Sequence, residues 1–191
     1  MDNLGIGSPV EVLQEMRKFV EGELPRRLGF NFSFAFRALV VFHRDNASYS
    51  KMKTNWATEN SPFHKGTIID SWKLASKGLE QALSFADKEM GWCRRAFLPS
   101  ANALIPLAVA MQRSDRSLNN DDKLNYRRWL CLGALRGKLR NVETAINNCL
   151  RELRVHGRPA SKALLQSLGK TDARRIKADE LDDAAPMWGA V

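Results

Sequence analysis

Between Ile69 and Met90 apolar side chains return every three or four residues: Ile69, Trp72, Leu74 with Ala75, Leu79, Ala82 with Leu83, Phe85 with Ala86, and Met90. On an α-helix that spacing makes one continuous apolar stripe, and on a strand it would scatter over both faces. Val142, Ala145, Ile146, Cys149, Leu150 and Leu153 repeat the pattern further on, with Asn147, Asn148, Arg151, Glu152 and Arg154 on the opposite face. Two amphipathic helices must bury their stripes against further elements, so the rest of the chain has to supply them.

Near the start, Ser8 is placed to cap a helix, Pro9 fits its first position and Glu11 completes a capping box. Val12, Leu13, Met16, Phe19, Val20 and Leu24 then form its apolar face, with an end expected near Pro25 and Gly29. Phe30, Phe32, Phe34 and Phe36 alternate as they would in a strand, but Leu39, Val40 and Phe42 continue the surface without a turn, which favours a buried helix. Residues 44–66 read as loop. In residues 98–112, Ser100 is a candidate cap, and Pro106 is expected to kink the first turns of the helix.

Residues 126–154, YRRWLCLGALRGKLRNVETAINNCLRELR, parse as two helices separated at Gly137. In the first, Leu124, Tyr126, Trp129, Leu130, Cys131, Leu132, Ala134 and Leu135 cover nearly the whole circumference, which is the pattern of a central helix. Trp129 is therefore expected in the core rather than stacked on a base. A cap at Asn141, a stop at Gly157 and a short helix over residues 161–168 complete the expected architecture, an all-α, single-domain irregular bundle of about six to eight helices. The bundle is expected to span residues 1–170, and residues 171–191 to form a charge-split, loosely held tail.

Charge narrows the function. The chain carries 30 Lys and Arg against 21 Asp and Glu, a formal net charge of +9, which favours a polyanionic partner. Between Lys123 and Arg158 nine cations face only two acids, Glu143 and Glu152. Arg127, Arg128, Arg136, Lys138, Arg140, Arg151 and Arg154 are the candidate DNA-phosphate contacts, although Arg136 also suits a helix C-terminus. Neutralising about five phosphates would give a log–log salt slope of about −4 to −5. Trp56, beside Lys51 and Lys53, is the candidate exposed aromatic.

Enzyme signatures do not emerge. Phosphate-loop, nucleophile-elbow, zincin and dinucleotide motifs are missing from the sequence. His43, His64 and His156 have no carboxylate placed by sequence to orient them, and Asp87 and Glu89, two apart on a helix, do not face each other. Cys93, Cys131 and Cys149 form no metal-ligand spacing and read as reduced core thiols. No cofactor or metal is expected. Neither a signal peptide nor an apolar run long enough to span a bilayer is evident, so a cytoplasmic address is expected.

FLPSANALIPLAVAM (97–111) and YRRWLCLGALRGKLRNVETAINNCLREL (126–153) resemble the helical middle region of the bacterial family that includes the GmrSD-type, modification-dependent restriction proteins. The order upstream, an apolar helix, a loop and a long helix, is similar too. Family nucleases owe their activity to a ParB-like domain with an aspartate-glycine-glutamine-glutamine-arginine signature, and many carry an HNH nuclease; neither is visible here. The resemblance implies a helical segment without its nucleases, and it carries over no catalytic residue. Two functions follow as expectations: a non-catalytic basic module that binds DNA or docks a nuclease partner in restriction or anti-phage defence, or a protein-interaction scaffold or oligomerisation subunit. A third, a metal-dependent nuclease built on His43 or His64, needs an acid brought near by the fold.

Overall fold

The computed structural model describes residues 8–48, 65–98, 100–114, 117–139, 142–155 and 157–169. These form eight α-helices, α1 (Pro9–Glu21), α2 (Glu23–Arg27), α3 (Phe32–Arg44), α4 (Lys65–Met90), α5 (Leu104–Arg113), α6 (Asn120–Leu135), α7 (Val142–Leu153) and α8 (Ala160–Ser167). The described residues contain no strand, so the all-α bundle stands. Trp56, His64, Arg140, Asn141, His156, Lys170 and residues 171–191, where a tail was expected, lie outside the described residues.

Helix ends follow local chemistry. Ser8 Oγ accepts from the Glu11 amide at 3.3 Å to start α1. The expected continuous helix to Leu24 breaks instead at Gly22, and the chain restarts as the short α2, which carries Pro25 inside it. Gly29, at φ +72°, ends α2 with the Phe30 amide donating back to the Pro25 carbonyl at 2.9 Å. Asn31 Oδ1 accepts from the Phe34 amide at 3.0 Å, and this cap makes residues 32–44 a helix despite the alternating phenylalanines. Phe30 lies before the cap and packs on Phe34 with ring centroids 4.0 Å apart.

Ser100 does not cap α5 with its side chain. A 3-10 turn at residues 101–103 leads in, and Pro106 is the third residue of α5, within the first turn where the amide it lacks has no intrahelical partner. All residues from Leu104 to Met111 are buried, so α5 is the central helix rather than α6. Its closest neighbour is α4. A Cβ on Gly78 would stand 2.9 Å from the Ala108 carbonyl oxygen and 3.0 Å from Phe42 Cζ. The interior glycine is therefore what lets α4 and α5 approach.

A second, smaller apolar cluster seals α1 onto α3 and the first half of α4 through Val12, Met16, Ala35, Leu39, Ile69 and Trp72. Phe19 meets Trp72 edge-on, with centroids 5.9 Å apart. On the other side of α5, α8 lies between α6 and α7 and packs against both, while α6 and α7 barely touch each other. None of the described helices is long and apolar enough to cross a membrane.

Candidate functional site

The sequence leads to α6, and the fold gives that helix two unlike faces. Asn119 Oδ1 caps it by accepting from the Asp122 amide at 2.8 Å, and Asp122 is buried and accepts from Ser161 Oγ at 2.7 Å, tying α6 to α8. Tyr126, Trp129, Leu130 and Gly133 face the core. Trp129 is fully buried and its Nε1 meets no hydrogen-bond partner. The helix ends as foreseen at Gly137, φ +61°, where the Lys138 amide donates to the Gly133 carbonyl at 3.0 Å, and Leu139 folds back onto Gly133.

At 100° per residue, Leu124, Arg128, Cys131 and Leu135 share a strip opposite Tyr126, Trp129 and Gly133. Leu124 is 43% and Leu135 44% exposed, and Arg128 and Cys131 are exposed as well. Leu124, Cys131 and Leu135 were expected on the buried circumference of a central helix. They stand in solvent instead, because α8 and the end of α4 cover only one side of α6. Cys131 is thus no core thiol, and Cys93 is only half-buried.

The seven candidate phosphate contacts separate into groups. Arg127 and Lys123 both hold Glu89 at the end of α4, the lysine at 2.7 Å, and these hydrogen bonds draw the Glu89 carboxyl below its ordinary pKa of 4.5. Folded pKa being depressed, this clamp is intact above that ordinary value and is lost only as pH falls through the lower folded one. Arg154 holds Asp45, the left-handed C-cap of α3, through Nε at 2.6 Å. Arg113 joins the same carboxylate at 2.9 Å and also donates to the Leu153 carbonyl at 3.1 Å, so the C-terminal ends of α3, α5 and α7 meet at one knot of two arginines. Arg151 is 70% exposed and 3.8 Å from Glu152. Arg136 is half-buried at the C-cap of α6. Arg128 and Lys138 are exposed and have no carboxylate partner among the described residues. Arg128 and Lys138 belong to α6 and the turn after it, Arg151 to α7, and α8 stands between these two helices.

Sequence reading missed Asp45 and Glu89 as anchors, since their partners lie 68 and 109 residues away for Asp45 and 34 and 38 for Glu89. Asn147, assigned to a solvent face, accepts from the Ala47 amide at 2.8 Å. His43 Nδ1 lies 3.1 Å from Ser71 Oγ and links α3 to α4. Burial, and then the Arg44 charge, push its pKa below the ordinary 6.5. No group of three or more His, Cys, Asp or Glu among the described residues is placed to hold a metal.

The thiols offer a direct check on this geometry. Cys149 is buried with Sγ 3.3 Å from Ser167 Oγ, and burial pushes it up from 9.0 to about 11. With the folded pKa raised, its contribution to stability is complete below pH 9 and lost as pH rises through about 11. In native protein a thiol reagent is expected to modify Cys131 first and Cys149 only after unfolding. Equal rates for the two in native protein would contradict the faces assigned to α6 and α7.

Comparison with protein-family profiles, with curated proteins and with solved structures gives no match for this chain.

Proposed function

We propose that the chain is a protein-interaction scaffold whose contact surface is the outer face of α6. The observation that carries this reading is the pair of half-exposed leucines, Leu124 and Leu135, in line with Cys131 on the side of α6 turned away from the core. Two leucines and a cysteine aligned on the outer face of a charged helix, with Arg128 among them, gain free energy by being covered, at roughly 25 cal/mol per Å² removed from water. Phosphate backbones offer nothing for leucines to cover, whereas another protein does.

DNA binding, in the restriction or anti-phage setting that the GmrSD resemblance implies, is the second reading. It is favoured by residues 123–138, which hold five cations and no acid. With Arg127 and Arg154 engaged by carboxylates, the cations best placed for phosphates are Arg128, Lys138 and Arg151. Two or three contacts give a salt slope of roughly −2 to −3, shallower than the sequence alone suggests. Glu89→Gln would release Lys123 and Arg127, and on this reading it steepens the slope by about 2; a slope that stays fixed argues against phosphate contact along α6.

Crossed variants test the choice. On the scaffold reading, Leu124→Ser with Leu135→Ser abolishes protein association, and Arg128→Ala with Lys138→Ala leaves a leucine-dependent association in place. Should the leucine variant associate as the parent does, while the cation variant loses a salt-sensitive affinity for duplex DNA, the scaffold reading fails and the second takes its place.

A further inference from the structure

A cavity of about 320 Å³ opens where the C-terminal part of α4, the end of α5 and the start of α6 come together. Its deeper lining is apolar. Phe85 and Met111 are buried, Leu118 is half-buried beside them, and the Phe85 ring is held edge-on by Tyr126 of α6, with centroids 5.9 Å apart. The charged groups stand nearer to solvent. Glu89 lines the cavity and is answered by Lys123 and Arg127, whereas Lys88, exposed in the last turn of α4 and also part of the lining, has no carboxylate partner among the described residues. Three cations against one acid leave a local surplus of two positive charges beside an apolar recess.

We propose that this cavity binds a small amphipathic anion, a carboxylate carried on an aromatic or compact aliphatic body. Its volume lies at the lower end of the roughly 300–1,000 Å³ typical of small-ligand sites, enough for a single ring and its side chain and too little for a helix of a partner protein. The apolar body goes against Phe85, Met111 and Leu118, where the unbranched thioether of Met111 adapts to its outline. The carboxylate goes to Lys88, the cation that no protein acid satisfies. Lys123 assists. Its ammonium has three donors, of which one is directed at Glu89 over 2.7 Å, and that bond holds the side chain at the cavity before any ligand arrives, which lowers the entropy lost on binding. An organic cation meets the positive surplus unfavourably, and a neutral ligand gains nothing from Lys88. The lining shares no residue with the outer strip of Leu124, Cys131 and Leu135, so the site is independent of what covers that strip.

The ε-methyl group of Met111 reports on the site directly. In the full chain labelled with ¹³C-methyl methionine, this resonance is assigned by its loss in Met111→Leu, and 3-phenylpropionate is titrated at physiological salt and neutral pH. A saturable shift is expected, with a dissociation constant of about 0.1–1 mM for so small a ligand. The neutral 3-phenylpropanamide, which lacks the charge, and acetate, which lacks the ring, should each bind roughly tenfold more weakly or worse. Lys88→Ala, at an exposed position and with the fold verified by circular dichroism, should weaken 3-phenylpropionate by about tenfold, and Lys88→Arg should retain it. Lys77→Ala, exposed on the same helix but outside the cavity, should change nothing. A Met111 methyl that does not move up to about 10 mM acid, an amide that binds as well as the acid, or a Lys88→Ala variant that binds as the parent does would each overturn the proposal. A response to an acidic, phenylalanine-bearing peptide in the absence of any response to 3-phenylpropionate overturns it as well, in favour of a side chain from a partner protein.

Discussion

Replacing Trp129 with alanine is expected to remove about 3–5 kcal/mol of folding stability, a large share of the roughly 5–15 kcal/mol that a single domain commands. The ring is fully buried among Leu130, Tyr126 and the facing helices, and no small rearrangement of α6 can fill the space it leaves. Phenylalanine should cost far less, about 1–2 kcal/mol, because the indole Nε1 has no hydrogen-bond partner to lose. Urea unfolding monitored by circular dichroism separates the two. If alanine at this position left stability unchanged, the ring would have to lie at the surface, and the base-stacking role set aside on sequence grounds would return.

Gly78→Ala carries the second large effect, and its sign is what matters. In an ordinary helix interior the change stabilises by about 0.5–1 kcal/mol. Here the new methyl meets the Ala108 carbonyl oxygen at 2.9 Å and Phe42 Cζ at 3.0 Å, and backbone on one side leaves it little room. Overpacking of this kind costs about 1–3 kcal/mol, so the variant should unfold at lower denaturant than the parent. Gly133→Ala is the control. Its methyl would meet Leu139 Cδ1 at 2.9 Å and Cγ at 3.0 Å, a side chain in the turn after α6 rather than the backbone of a central helix, so a smaller loss than for Gly78→Ala is expected. Stabilisation by Gly78→Ala would mean that α4 and α5 do not cross at this glycine.

How much of this was legible beforehand depends on whether the deciding contact is local. The α7 stripe was readable because Ile146, Cys149, Leu150 and Leu153 all point one way and all are buried. The Ser8 cap and the Gly137 stop were readable because their partners lie within a few residues. For α6 the periodicity failed in an instructive manner. Apolar residues around a whole circumference signal complete burial only if something covers every side, and sequence spacing does not reveal that α5, not α6, takes the centre. Leu124 and Leu135 look identical to core leucines until the neighbours are known.

The charges fail to read out for the same reason. Arg127 and Arg128 are adjacent in sequence and equal in type, yet one holds Glu89 and the other faces solvent. Counting cations between Lys123 and Arg158 measured a surplus correctly, but it took no account of acids brought in from α3 and α4. Asp45 and Glu89 neutralise part of that surplus through contacts spanning 34 to 109 residues. What the count concealed, the geometry of α6 exposes: Leu124, Cys131 and Leu135 in line on its outer face, with the exposed Arg128 among them.

The most direct measurement of that strip is the alkylation of Cys131 in native protein, in a Cys93→Ser background where Cys149 stays buried. If Leu124, Cys131 and Leu135 form the open outer face of α6, one thiol per native chain reacts promptly and the second, Cys149, only on unfolding. A native chain in which neither thiol reacts until it unfolds would place Cys131 inside the bundle and remove the contact surface.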